Sequence, residues 1–329
     1  MIKSFYLLLT LLLLASVSIA QPTTYPSSFT VAQDGSGQFK TIQEAVNAVR
    51  DLSQQQVTIF IKKGVYREKL VVPSWKCRIS LLGESKDSTI ITHADYSGKT
   101  YPGVDPYGKD KYSTYTSYTV LIQGNDCTVE NLTIENTAGR VGQAVALHVE
   151  GDRCIITRCR LLGNQDTLYT ATETSRQLYR DCYIEGTTDF IFGEATVVFD
   201  RCTIKSLSNS YITAAATTPR QAYGFVFLHC TLIADTAAKK VFLGRPWRPY
   251  SKTVFLYTHM SGHINKEGWD NWRNPDNEKT VLYAEYQSEG PGAQPTQRVK
   301  WSKQLTAKQA KQFTIMNIFG NWQPADKPK

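Results

Sequence analysis

Short stretches of alternating apolar and polar residues recur along this 329-residue chain and share one form. Two alternate apolar residues are followed by two spacers, a small or sulfur-bearing residue and a further apolar residue, at 155–161, 178–184, 197–204, 225–232 and 254–260. An earlier version at 128–134 carries asparagine at the marker position. The markers are Asn131, Cys159, Cys182, Cys202, Cys230 and Thr258, separated by 28, 23, 20, 28 and 28 residues. A period of two is a β-strand with one buried face. A repeat of such strands every 20 to 28 residues is a solenoid, because no turn buries its apolar face until the next stacks on it. Leucine-rich repeats share this period but not the consensus. An antiparallel sandwich would place hairpin dipeptides such as Asn-Gly between these strands, and none stands there.

Stacked turns lie about 4.8 Å apart, so the markers form an internal column of buried, mostly cysteine, side chains. Such a stack has two open ends that must be covered. Helical spacing of Ile42, Ala45, Val46 and Val49, with Thr41 and Glu44 as a capping box, predicts a helix over 41–49 that plugs the first turn. A second short helix is expected to begin within 305–310. Early strands are expected at 57–61 and 78–82. The polar, tyrosine-rich segment 96–118 reads as a long surface loop leading into a strand at 119–122.

The N-terminus bears on where the chain works. Lys3, the apolar run 5–14 and the small residues of Ser18-Ile19-Ala20 predict a cleaved export signal over 1–20. That leaves one domain, 21–329, with no later segment apolar enough to span a membrane. The formal net charge is +8, which suits an acidic partner outside the cell better than a neutral one. Lysines and arginines are scattered rather than gathered into phosphate-gripping runs, so nucleic acid is not expected. A solvated basic surface with no polyanion stays open. Seven cysteines are an odd number with no zinc-type spacing, which leaves their pairing open.

Four blocks put polar groups where stacking alone does not ask for them: 143–147 (QAVAL), 165–168 (QDTL), 189–193 (DFIFG) and 243–247 (LGRPW). Gln143 and Gln165 are 22 residues apart, and Asp166 and Asp189 are 23 apart, one turn each. Two amides and two carboxylates therefore cluster on one face, and Arg245, some two turns on, reaches them if its loop folds back. An arginine keeps one carboxylate ionised, and that charge keeps its neighbour protonated, giving a nucleophile and a general acid. The amides would hold an oxyanion without adding charge, and Trp247 would offer a flat face to a sugar ring. Each residue also has a plainer reading. Asp166-Thr167 is a turn pair, Asp189 and Arg245 a structural ion pair, Gln143 and Gln165 an amide ladder, and Trp247 packing.

These four blocks, together with Gly64-Val65-Tyr66-Arg67-Glu68 and in this order, resemble the pectin methylesterases, the pectinesterase family of carbohydrate esterases, from about Phe29 to Trp322. The resemblance implies an all-β, single-stranded right-handed parallel β-helix with short N- and C-terminal capping helices. It implies hydrolysis of the C6 methyl esters of pectin (homogalacturonan), with Asp189 as nucleophile and Asp166 as general acid and then base. Gln165 and Gln143 would stabilise the anionic intermediate, Arg245 would orient Asp189, and Trp247 and Thr114 would contact substrate. The family implies no metal or organic cofactor, and the expected protein is a secreted monomer of the medium, wall or periplasm. A polygalacturonase or pectate lyase on the same fold, or a non-catalytic polysaccharide binder, are the rival readings.

Overall fold

In a computed structural model describing residues 24–324, the strands sort into three parallel sheets of eleven, seven and eight strands. One turn illustrates the path. Cys154–Thr157 lies in the long sheet, Arg160–Leu162 in the eight-stranded sheet and Leu168–Thr170 in the seven-stranded sheet, and Arg176–Arg180 then returns to the long sheet beside the first. This is the expected right-handed parallel β-helix. The expected export signal lies outside the described residues. Among those described, no helix is long and apolar enough to cross a membrane.

Between the long and the eight-stranded sheet the chain turns on one left-handed residue in seven successive turns: Asn131, Arg158, Asp181, Arg201, His229, Tyr257 and Gln287, with φ from 45° to 58°. Such a conformation costs a non-glycine residue about 1–2 kcal/mol. It is repeated because it swings the next side chain inward. After the first six corners those next residues are Leu132, Cys159, Cys182, Cys202, Cys230 and Thr258, all at most 2% exposed and in register through the strands that follow them. The column exists as expected, with one correction: Asn131 is a corner residue, and Leu132 takes the inward position. Asparagine suits the corner because its amide donates to the carbonyls of Gly83 (2.9 Å) and Glu84 (3.2 Å). The thiols of Cys159, Cys182, Cys202 and Cys230 each donate to a carbonyl of the turn before, at 3.3–3.5 Å. All seven cysteines are free and buried.

A second column stacks Tyr179, Phe199, Phe227 and Phe255 face to face inside the long sheet, with ring centroids 5.1, 4.4 and 4.2 Å apart. At the next position stands Glu285, 3% exposed, whose carboxylate accepts from Arg298 at 2.7 and 3.0 Å. With Trp269, Tyr283 and Trp301 this pair closes the C-terminal end. The N-terminal end is plugged by the helix Ile42–Ala48, whose Ile42, Ala45 and Val46 are buried and whose Thr41–Glu44 capping box forms as expected. Glu68 of the GVYRE block accepts from the amides of Ile42 and Gln43 at that helix's first turn, so the block has a structural use. The expected C-terminal helix forms as Ala307–Ala310, followed by Ile315–Phe319. Ala310, Ile318 and Phe319 lie on the outer row Leu178, Val198, Val226, Val254 and Ala284. These long-sheet strands are apolar on both faces, so their outer face needs a cover as well.

Candidate active site

The outer face of the seven-stranded sheet carries the polar blocks. Asp166 and Asp189 stand just before the strands Leu168–Thr170 and Ile191–Gly193, which pair with Leu168 opposite Ile191. That register sets the two aspartates on neighbouring turns, about 4.8 Å apart along the stack. Both have left-handed backbone, φ 65° and 48°, which aspartate tolerates better than most residues. Their amides donate to Thr188 O (3.1 Å) and Tyr211 O (2.9 Å), which fixes each corner on the next turn. The residues are 7% and 6% exposed. Gln143 and Gln165 form a parallel bridge one turn apart, as their spacing predicts. No hydrogen bond joins the two amide side chains among the described residues, which disfavours a closed amide ladder.

Arg245 arrives differently from expected. No loop folds back: it lies within the strand Phe242–Pro246, in register with Ala214 and, one turn earlier, Phe192. Its Nε donates to Asp189 Oδ1 at 3.0 Å and its Nη2 to Oδ2 at 2.6 Å. The guanidinium is held between the rings of Tyr211 (4.0 Å) and Trp272 (3.7 Å). Gly244 lets this strand approach its neighbour, since a Cβ there would stand 2.0 Å from Thr213 Oγ1.

All seven residues singled out from the sequence line one cleft of about 220 Å³. Thr114 reaches it from the short 3-10 turn Thr114–Thr116 in the 96–118 segment, and Trp247 from just past Arg245. Sequence reasoning missed Tyr115, Phe192, Ala214 and Trp272, which complete the lining. Phe192 was findable: Phe190 and Ile191 belong to the interior, so the third apolar residue of DFIFG must face out. Trp272 left a weaker trace in the aromatic and polar run Trp269-Asp270-Asn271-Trp272.

The Pectinesterase family profile matches residues 28–321. The chain belongs to the pectinesterase family. It is 36% identical over 288 residues to pectinesterase 31 of Arabidopsis thaliana, covering 86% of this chain and 89% of that protein. It is 38% identical to the probable pectinesterase/pectinesterase inhibitor 58 of the same plant, spanning 90% of this chain but 53% of that longer protein. Among solved structures, pectin methylesterase from carrot superposes with a TM-score of 0.82 at 36% identity, over 91% of this chain and 94% of that one. A pectin methylesterase in complex with a hexasaccharide gives 0.77 at 31% identity, over 93% and 100%.

The electrostatics of this family member separate its two aspartates. Burial pushes Asp166 well above the ordinary carboxyl range, the charge of Asp189 pushes it further, and Arg245 offsets only part of this. Burial raises Asp189 as well, but there the bonds and charge of Arg245 pull against it directly. Asp189 is therefore the group that ionises first, and Asp166 the one that keeps its proton.

Proposed function

We propose that the protein hydrolyses the C6 methyl esters of pectin through Asp189 as nucleophile and Asp166 as general acid and base. As a pectinesterase the chain is a carboxylic ester hydrolase. The observation that carries the assignment of roles is the two-bonded grip of Arg245 on Asp189 beside a buried Asp166 with no such partner among the described residues. An Asp189 oxygen attacks the ester carbonyl, and Gln143 and Gln165 donate to the oxyanion, a contribution worth on the order of 10²–10³ in rate per donor. Collapse expels methoxide, which takes the Asp166 proton and leaves as methanol. A water then gives its proton to Asp166 and attacks the acyl-Asp189 anhydride. A free galacturonic acid unit, ionised Asp189 and protonated Asp166 result, and the acid releases its proton to solvent as galacturonate. Trp247 and Thr114 would contact the sugar chain from the two walls.

The test is incubation with highly methylated pectin, with methanol and polymer length measured together. Wild type is expected to release methanol at constant chain length, and Asp189→Ala to release none. Methanol from both proteins would refute the nucleophile. New reducing ends or unsaturated ends would favour a polygalacturonase or lyase, and binding without turnover would favour a non-catalytic role. We place the reaction outside the cell, carried by residues 21–329 as a monomer. N-terminal sequencing of exported protein should begin near Gln21.

A further inference from the structure

The division of labour between the two aspartates depends on where the tip of Arg245 points. Arginine carries its charge on a long, flexible stem, and Asp166 and Asp189 stand about one strand spacing apart, roughly 4.8 Å. The guanidinium is close enough to Asp166 to pull against its protonated form, yet both of its hydrogen bonds to an aspartate go to Asp189. The strand Phe242–Pro246 fixes where the side chain starts but not where it ends. Two aromatic rings meet it there.

Tyr211 lies opposite Phe242 in the strand pairing, and the two rings stack with centroids 5.4 Å apart and 24° between their planes. So braced, Tyr211 sets its ring centroid 4.0 Å from Arg245 Cζ, while its carbonyl accepts from the Asp189 amide at 2.9 Å. One residue therefore touches both members of the pair, and it is not among those that line the cleft. Trp272 meets the guanidinium from the following turn, at 3.7 Å, and its backbone is strained. Trp272 and Arg273 are consecutive left-handed residues, φ 60° and 56°, a conformation that bulky side chains hold only where their surroundings force it. Asp270 Oδ1 accepts from Trp272 N at 2.7 Å, Asn271 donates to Glu278 at 2.7 Å, and Asn277 donates to Asn271 O at 3.0 Å. Asp270 N in turn donates to Gly244 O, beside Arg245, at 3.1 Å. The strained turn thus sets an indole against the guanidinium.

We propose that Tyr211 and Trp272 are positioning residues for the reaction, whose rings clamp the Arg245 guanidinium against Asp189 and keep it from swinging to Asp166. The inference rests on the proposed roles of the two aspartates, since it names what keeps those roles from mixing. A guanidinium is attracted to aromatic faces, so the edge that carries Nε and Nη2 stays aimed at one carboxylate. Without the rings the cation divides its time between both. Asp189 then keeps its proton to a higher pH, Asp166 releases its own at a lower one, and the two titrations of the pair draw together. Four other titratable groups act on this cluster. Asp270 pushes Asp189 up by its charge, and burial pushes up the hydroxyls of Tyr115 across the cleft, Tyr211 itself and Tyr283 inside the solenoid, which keeps all three neutral.

The experiment is the pH profile of kcat/KM for methanol release from methylated pectin, with melting temperature measured alongside, in wild type, Tyr211→Phe, Tyr211→Met and Trp272→Asn. Tyr211→Phe keeps the ring and is expected to leave both limbs of the profile in place. Tyr211→Met removes the ring while still filling the space against Phe242. Trp272→Asn removes the indole at a backbone position that asparagine tolerates, so it is expected to melt no lower than wild type. Both ring-less variants are expected to narrow the bell from its two sides, the acidic limb rising and the basic limb falling by about half to one pH unit each, with the maximum lowered roughly tenfold. A merely structural role would lower the melting temperature and leave the limbs where they are. Limbs unmoved in both ring-less variants, or a bell narrowed as much by Tyr211→Phe as by Tyr211→Met, overturn the inference and leave the proposed function standing. No methanol from wild type would instead remove the function on which the inference rests.

Discussion

Asparagine at position 166 keeps the shape of aspartate and its tolerance of left-handed backbone, and removes only the ability to ionise. In the folded protein Asp166 is 7% exposed, with its carboxyl pushed well above the ordinary range by burial and by Asp189. The unfolded chain releases that proton near pH 4. Between that pH and the higher folded value, the native state binds more protons than the unfolded state. Stability therefore falls as pH rises, by about 1.4 kcal/mol for each pH unit across the interval. Asp166→Asn escapes this loss. The two proteins are expected to melt together near pH 4 and to diverge toward neutrality, the variant melting higher by roughly 2 °C for each kcal/mol in a chain of this size. Scanning calorimetry from pH 4 to 8 on both proteins reads the difference. Methanol release by the variant is expected to drop on the order of 10²- to 10⁴-fold, as for loss of a general acid. A melting difference that does not grow with pH would mean that Asp166 is already ionised when folded, and the division of roles would fall with it.

Three further outcomes follow from the geometry. The pH profile of kcat/KM should be bell-shaped, falling at low pH as Asp189 takes a proton and at high pH as Asp166 loses one. Arg245→Lys replaces two parallel bonds with one point charge, so the acidic limb should move to higher pH; an unmoved limb contradicts the pairing. Lys69 donates to the carbonyls of Thr116 (2.7 Å) and Tyr118 (2.8 Å) and to buried Asp95 (3.0 Å). Lys69→Met should therefore speed limited proteolysis within 96–118 and raise KM through Thr114 and Tyr115 more than it lowers kcat. Phe227, fully buried between Phe199 and Phe255, should cost about 3–5 kcal/mol when changed to alanine. Denaturant unfolding would show this, with turnover at room temperature kept because the column lies away from the cleft.

How much of this was legible depended on whether a feature repeats once per turn. The cysteine column, the plugging helix and the pairing of Asp166 with Asp189 all follow from spacing, because parallel stacking turns one period of sequence into one strand spacing. Asn131 misled by one place because the left-handed corner and the inward column are adjacent positions, and asparagine suits the first. Arg245 was harder. Between Asp189 and its strand lie two turns of unequal length, with Tyr211 paired to Phe242 across 31 residues, so counting could not show that it sits on the sheet. Tyr211 and Trp272, which sandwich its guanidinium, lie outside the recurring segments and the four polar blocks.

The solenoid also explains why two carboxylates share the site at all. Neighbouring turns are locked in register by the strands on either side, so Asp166 and Asp189 cannot separate without breaking the pairing of Leu168 with Ile191. Their repulsion is therefore relieved by protonation and not by movement. The single arginine decides which of them protonates, because its two bonds reach only Asp189. A fold of loosely docked helices would let such a pair drift apart. Here the rigidity that stacks four aromatic rings at 4.2 to 5.1 Å also holds one carboxyl group in its acid form beside another in its base form.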